Sequence, residues 1–419
     1  MRVFRVVLLT AIFVTGFASP SSAVTVKSVP SPNQMAAQKT SVQPQDKLFG
    51  VMDDNPVMSA AAQSGFGVVK RTVWIGPTNN SWETTGKGFV PIPDQYREVI
   101  TRDMADARAA GIKVILELYL VRQFGPPRGP NQMRGTCAVA KDLLDKFPET
   151  YGIEIGVEPN SHNFWWPQFN ADGTQASAAP YEEWLAKCYD AIKGTHPDVL
   201  VIGGSLSSRG EDQPHKKGSD TSPVLWLQKF CEAYKTSGRT APVMDWFDMH
   251  SYPDPEDQDP TVQHPYPSTT ITIADYDKLN GLLGCFSGTA QPKPPILWGE
   301  TGYNTEVPAA MVGKNYSTEP KPSTVRLIDE STQGRYAATQ IKMAYCQSNS
   351  AGWLNFHFVD DANRFQDWQS GFAYAPAHPK RGKSSAAQSF TLKQSITPVR
   401  KELSAAASGT IDCETPGLP

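Results

Sequence analysis

The chain is short of the features that would announce a metal, a nucleotide or a membrane. Its six cysteines, Cys137, Cys188, Cys231, Cys285, Cys346 and Cys413, never form a C-x-x-C pair, which removes the common zinc and dithiol motifs. No His-x-His pair opens the first strand candidate, so the metal-dependent hydrolases of barrel type find no support. Gly65-Phe-Gly67 lacks a third glycine and precedes a strand instead of following one, which excludes a dinucleotide-binding turn. An excess of one charge is missing too: 39 Lys+Arg against 42 Asp+Glu leave a net charge of −3. Nothing basic is offered to nucleic acid or to an anionic membrane. After residue 23 no apolar run approaches the roughly 18 residues of a bilayer span. No metal, cofactor or internal repeat is expected, and a monomer is the simplest assembly.

What is present is ordinary core material and many aromatics. Of 419 residues 39% are apolar, with ten Trp, fourteen Tyr and eighteen Phe, enough for a large soluble domain. Arg2 and Arg5 precede the apolar run Val6–Phe17, and Ser21-Ser-Ala23 offers small residues for cleavage. Residues 1–23 therefore read as an export signal, cleaved near Ala23, and the protein as secreted. Residues 24–46, rich in Pro, Ser, Gln and Val, read as an arm, 47–404 as one catalytic-size domain, and 405–419 as a small-residue tail. In an oxidising compartment the cysteines allow up to three disulfides of undetermined pairing, with buried free thiols as the alternative.

From residue 48 strands and helices alternate. Strand candidates are Leu48–Met52, Gly67–Trp74, Ile112–Leu120, Gly152–Val157, Val199–Gly203, Trp246–His250, Ile296–Gly299 and Gly352–Phe358. Between them run amphipathic stretches such as Tyr181, Trp184, Leu185, Cys188 and Ile192, spaced for one helical face. Eight such units predict an α/β fold, a (β/α)8 barrel of one domain. The helix-to-strand links are short, as at 109–111. The strand-to-helix links 75–93, 158–180, 204–222, 251–271 and 300–330 are long and carry Trp, Asn, His and Pro. In a barrel these gather at one face, where the site is built.

Two strand ends deliver carboxylates. Tyr151-Gly-Ile-Glu-Ile-Gly-Val-Glu158-Pro-Asn ends the fourth candidate, and Pro295-Ile-Leu-Trp-Gly-Glu300-Thr-Gly ends the seventh. A pair of this kind with aromatic neighbours is what glycoside hydrolysis needs: one carboxyl protonates the leaving oxygen and the other meets the anomeric carbon. Glu117 and Glu154 also sit in apolar strands and read as interior polar residues of the barrel. Trp184 and Trp226 lie on helix faces and read as core. His357, Asp360 and Asp361 at the end of the eighth strand could touch a ligand or cap a turn.

The segments Glu158-Pro-Asn160, Asp248-Met-His250-Ser-Tyr252 and Trp298-Gly-Glu300-Thr-Gly302 resemble, in that order, those of the clan A glycoside hydrolases. These are retaining enzymes on a (β/α)8 barrel, with acid/base after strand four and nucleophile after strand seven. The resemblance implies Glu158 as general acid/base and Glu300 as nucleophile. It implies Arg71, His250 and Tyr252 as supports and Trp353 as a sugar-facing aromatic; the loop that carries the acid/base adds Asn160 as a substrate contact and one of Trp165 and Trp166 as the lining of a subsite. The implied partner is a poly- or oligosaccharide. In one respect the chain departs from the pattern: the clan has Asn immediately before the acid/base, holding the sugar 2-hydroxyl, where this chain has Val157. Either another amide substitutes, with Asn160 and Asn163 the nearest, or the sugar lacks an ordinary 2-hydroxyl contact. A non-catalytic carbohydrate-binding barrel, or a transglycosidase of cell-surface glycans, shares the same sequence features.

Overall fold

The computed structural model describes residues 42–54, 56–75, 94–120, 125–377 and 390–414. The expected export signal and most of the arm lie outside these residues. Eight strands, β1 (Leu48–Asp53), β2 (Val68–Ile75), β3 (Lys113–Leu120), β4 (Gly152–Ile155), β5 (Leu200–Leu206), β6 (Trp246–His250), β7 (Ile296–Glu300) and β8 (Ser350–Phe356), pair in parallel in chain order. β1 closes the ring against β8. Each is followed by a helix: α1 (Met58–Gln63), α2 (Asp94–Ala110), α3 (Gly129–Lys146), α4 (Ala178–Lys193), α5 (Pro223–Thr236), α6 (Tyr276–Leu282), α7 (Glu330–Cys346) and α8 (Ile396–Ser408). The molecule is a single-domain (β/α)8 barrel, as the alternation led one to expect.

The strands alternate between two apolar environments because successive side chains leave opposite faces. Leu48, Val68, Ile115, Leu200, Ile202, Trp246, Leu297 and Leu354 fill the lower barrel. Val51, Val69, Leu116, Ile153, Val201 and Phe247 face the helices. On α4, Tyr181, Trp184, Leu185, Cys188 and Ile192 are all buried, the face that their spacing foretold. Caps set the helix starts: Ser222 accepts from the Leu225 N–H at the head of α5, and Asp329 from the Thr332 N–H at the head of α7.

The six cysteines form three disulfides. Cys137–Cys188 joins α3 to α4, Cys231–Cys285 joins α5 to the 3-10 turn after α6, and Cys346–Cys413 ties the end of α7 to the tail. The bridges thus link neighbours around the outer ring. Two boundaries differ from the sequence reading. α8 runs through Ser408, past the expected domain end at 404, and stops where Gly409 adopts φ +68°. The arm is structural at its end: Val42 packs into the lower barrel core, and Lys47 donates to the carbonyls of Ala344, Tyr345 and Gln347 at the C-terminus of α7.

Candidate active site

Above the apolar plug lies a layer of charge. Lys70 of β2 is fully buried and reaches Glu117 (3.2 Å), Glu154 (3.1 Å) and Asp248 (2.8 Å) on β3, β4 and β6. Burial would strip its proton, but the charges of Asp248, Glu154 and Glu117 hold its pKa well above the ordinary lysine value. Burial and then the neighbouring charge of Asp248 push the Glu154 pKa well above the usual carboxylate range, opposed by Lys70. Asp248 moves the other way: burial opposes its ionisation, yet Lys70 and His250 lower its pKa. Its free oxygen accepts the N–H of Gly299 at 2.8 Å. A Cβ at residue 299 would lie 2.1 Å from that carboxylate, which is why Trp298-Gly-Glu300 has glycine at its centre.

The two predicted carboxylates meet on the next layer up, at the C-terminal face. β4 ends at Ile155, two residues before the expected Val157. Gly156 turns there with φ +80°, against the Trp184 ring, and Glu158 itself adopts φ +38°. That left-handed backbone is costly for a side-chain residue. The Glu158 N–H is anchored on the Ser205 carbonyl at 2.8 Å. One imidazole then serves both acids. His250 Nδ1 lies 3.0 Å from Glu158 Oε1, while Nε2 lies 3.0 Å from Ser205 Oγ and 3.5 Å from Glu300 Oε2. Burial pulls the His250 pKa down, but Glu300 and Glu158 raise it further, to about 9. The ring is therefore an imidazolium at neutral pH.

Glu300 is buried, and burial pushes its pKa above the ordinary carboxylate range, opposed by the charges of His250 and Lys70. Tyr252 donates its hydroxyl to Glu300 Oε1 at 2.6 Å. Burial and then the charge of Glu300 hold the phenol well above 10, so it stays a donor.

Four other predicted residues lie elsewhere. Arg71 faces the helices: its Nε donates to Asp103 of α2 at 2.9 Å and its guanidinium lies 5.9 Å from the centre of the Tyr96 ring. It follows Lys70, and strand alternation gives the inner face to one of the two. Lys70 is the cation beneath Glu300. Asn160 is fully buried, its amide donating to the carbonyls of Ser207 and Thr221 and accepting from the Ser207 N–H. It clips the β4–α4 loop to the β5–α5 loop and, with no exposed surface, presents no atom to a hydroxyl. Trp165 is buried against Tyr181 and Trp184. Trp353 is also fully buried, in the layer between barrel and helices. Neither indole has surface for a sugar.

Other aromatics lie at the C-terminal face. Trp368, from the β8–α8 connection, lies 5.0 Å from the Tyr252 ring and 5.4 Å from Phe356. Across the mouth, Trp74, Tyr119 and Phe164 make a ladder with centroids 4.2 and 5.4 Å apart. Trp368 sits in an irregular loop, and no periodicity in the sequence singles it out. Asp248 lies two residues before His250 in the sequence and so on its face of the strand; Lys70 lies in the second strand candidate beside Arg71, and the two-residue period does not say which of that pair enters the barrel. Asp360 is structural, pairing with Lys393 at 2.7 Å.

Among the described residues two groups have ligand atoms close enough for a cation, all within 4.8 Å of one another: Asp53, Asp54 and His357, and Glu117, Glu154 and His250. The second is already served by the Lys70 ammonium. In the first, His357 lies 3.2 Å from Asp361. Burial lowers the His357 pKa, and Asp53 and Asp361 more than restore it, to about 9.

No protein-family model matches the sequence, and no curated protein matches it significantly. The fold does have relatives among solved glycoside hydrolases. β-Glycosidase BGL167 superposes with TM-score 0.52 at 13% identity, covering 89% of this chain and 99% of its own. GH5_18 from Streptomyces cattleya, in complex with GlcNAc, gives 0.52 at 13%, over 88% and 82%. A GH5-4 broad-specificity endoglucanase from Clostridium longisporum gives 0.50 at 11%, over 88% and 97%. At such identities the likeness is one of fold.

Proposed function

We propose that the protein is a secreted retaining glycoside hydrolase acting on a poly- or oligosaccharide. The observation that carries the reading is the shared imidazole: acids from β4 and β7 both contact His250, and Tyr252 donates to the second. Glu300 attacks the anomeric carbon while Glu158 gives its proton to the departing oxygen, and the glycosidic C–O bond breaks. Water then attacks the glycosyl-enzyme, Glu158 takes its proton, and the Glu300–sugar bond breaks. Three donors surround the attacking carboxylate or stand near it: Tyr252, His250 and, through the field of the layer below, Lys70. The charges of His250 and Lys70 oppose the rise in pKa that burial imposes on Glu300, and Tyr252 donates to it. Trp368 and Phe356 beside Tyr252 give a sugar ring an apolar face on the nucleophile side, and the Trp74–Tyr119–Phe164 ladder gives one opposite. With Val157 before the acid and Asn160 committed to backbone, the 2-hydroxyl is held by some group other than these. Three disulfides suit an oxidising compartment, in line with the export signal expected at residues 1–23.

The test is Glu158→Ala and Glu300→Ala, assayed on a polysaccharide panel and on aryl glycosides. Each should lose at least about a thousandfold in kcat, on the scale seen when a group made for the transition state is deleted. Azide should restore turnover to Glu158→Ala with an activated leaving group, giving a β-glycosyl azide from a β-glycoside. Full activity in either variant would remove the assignment.

A further inference from the structure

The loop that starts at Glu158 has a second face. Phe164 turns to Tyr119 at the mouth of the barrel, whereas His162, Trp166 and Phe169 line a cavity of about 850 Å3. Its opposite wall is Pro214, Lys216 and Gly218 of the β5–α5 connection. The volume lies within the range of roughly 300–1,000 Å3 usual for ligand sites. Neither Glu158 nor Glu300 lines it. Its aromatic floor is fixed in advance: a Cβ on Gly125 would lie 2.8 Å from the Trp166 ring, so that ring is seated on bare backbone, and Arg128 holds the Trp166 carbonyl at 3.2 Å. His162 is fixed as well, since Asp220 Oδ1 accepts from both its backbone N–H (2.7 Å) and its Nδ1 (2.6 Å). Nε2 lies beside Gly218 and carries no hydrogen bond among the described residues, which leaves it for a hydroxyl.

We infer that this cavity is a saccharide subsite on the leaving-group side, and that the enzyme therefore cleaves within an extended chain. The inference rests on the reading of Glu158 as the acid. The group that protonates the departing oxygen opens this loop, so the units beyond the broken bond run along it toward Trp166. The occupant is a neutral sugar. Lys216 is paired with Glu211 at 2.7 Å and His162 with Asp220, and the exposed Lys217 adds an ammonium that can donate to hydroxyls, so what the cavity offers is an indole, a phenyl ring and hydrogen-bonding groups with no cluster of cations. Pyranose rings present C–H faces to the first two and hydroxyls to the last.

The experiment is calorimetric binding of cello-, manno- and xylo-hexaose to Glu300→Gln and to Glu300→Gln combined with Trp166→Ala. At least one hexaose should bind, about tenfold or more weakly without the indole. Trp166→Phe, which keeps a ring, should recover most of the loss, a recovery that a misfolded loop would not show. In the otherwise unaltered enzyme, Trp166→Ala should lower the ratio of kcat/KM for that hexaose to kcat/KM for the matching aryl monoglycoside by a similar factor. Equal affinity with and without Trp166, binding of none of the three sugars, or an unchanged ratio would overturn the inference. If Glu300→Gln stays active, the catalytic assignment fails instead, and the binding comparison between intact protein and Trp166→Ala, on a non-cleaved thio-linked hexaose, still decides whether the cavity holds sugar.

Discussion

At the scale of single residues, the site is a problem in keeping opposite charges in register within a largely buried space. Tyr252 contributes one hydrogen bond to a charged oxygen, a contact of about 1.5–3 kcal/mol. Tyr252→Phe should therefore lower kcat roughly ten- to a hundredfold with little change in KM, measured by steady-state kinetics on the substrate that Glu300→Ala fails to turn over. A change below twofold would mean that Glu300 does not depend on this donor. His250 carries a pH prediction. Its folded pKa, about 9, is raised from an ordinary 6.5. A raised pKa stabilises the fold fully below the unfolded value, and that stability is lost as pH climbs through the folded value. Unfolding midpoints in urea should fall between pH 6.5 and 9. His357 shifts in the same direction, so His250→Gln should retain part of the slope and lose part. Were the slope identical in the variant, His250 would not be held as an imidazolium. Much of this scale was legible early: Glu158, Glu300, His250 and Tyr252 all stand where strand ends put them. Arg71 was misplaced because two adjacent basic residues on a strand cannot both face inward, and the pattern around Val69-Lys-Arg71 does not say which one does.

Elements bring those residues together, and the register of β6 against β7 is the critical joint. Asp248 holds Lys70 with one oxygen and the Gly299 N–H with the other, one residue before Glu300. Gly299→Ala would place a methyl 2.1 Å from the Asp248 carboxylate. The strand or the acid must move, and moving the acid leaves a buried lysine short of a partner, which costs about 3–5 kcal/mol. The variant should be inactive and melt well below wild type in a thermal scan. Native-like melting with normal kcat would show that β7 tolerates the shift. Alternation and helical spacing made the order and type of all eight strands readable, because burial on one face imposes a period. The ends were less readable. β4 stops at Ile155, since Gly156 is pressed against Trp184 from another element, a contact with no local trace.

For the whole molecule, the outer ring is stapled as well as packed. The three disulfides span separations of 51, 54 and 67 residues, and loops of that length restrict the unfolded chain by up to about 4 kcal/mol each. Full reduction should lower the melting temperature markedly, and Cys137→Ser with Cys188→Ser should account for about a third of the fall, since the loops are of similar length. An unaltered melting temperature after verified reduction would mean that the ring is held by packing alone. Composition limited the cysteines to at most three pairs. Which ones pair is decided by the barrel, which sets α3 beside α4 and the tail beside α7.

The sequence alone determined the alternation of eight strands and helices and two acids at strand ends, because hydrophobic period and turn chemistry act over a few residues. It also pointed to the histidine and tyrosine between those acids. Only the closed ring decided which of Lys70 and Arg71 enters the interior and which tryptophans keep a surface. The same closure allowed one imidazole to touch both carboxylates. Those outcomes depend on contacts between different strands and helices, such as His250 with Glu158 and Glu300 or Arg71 with Asp103, whose energies are set by burial and charge in three dimensions and leave no local pattern.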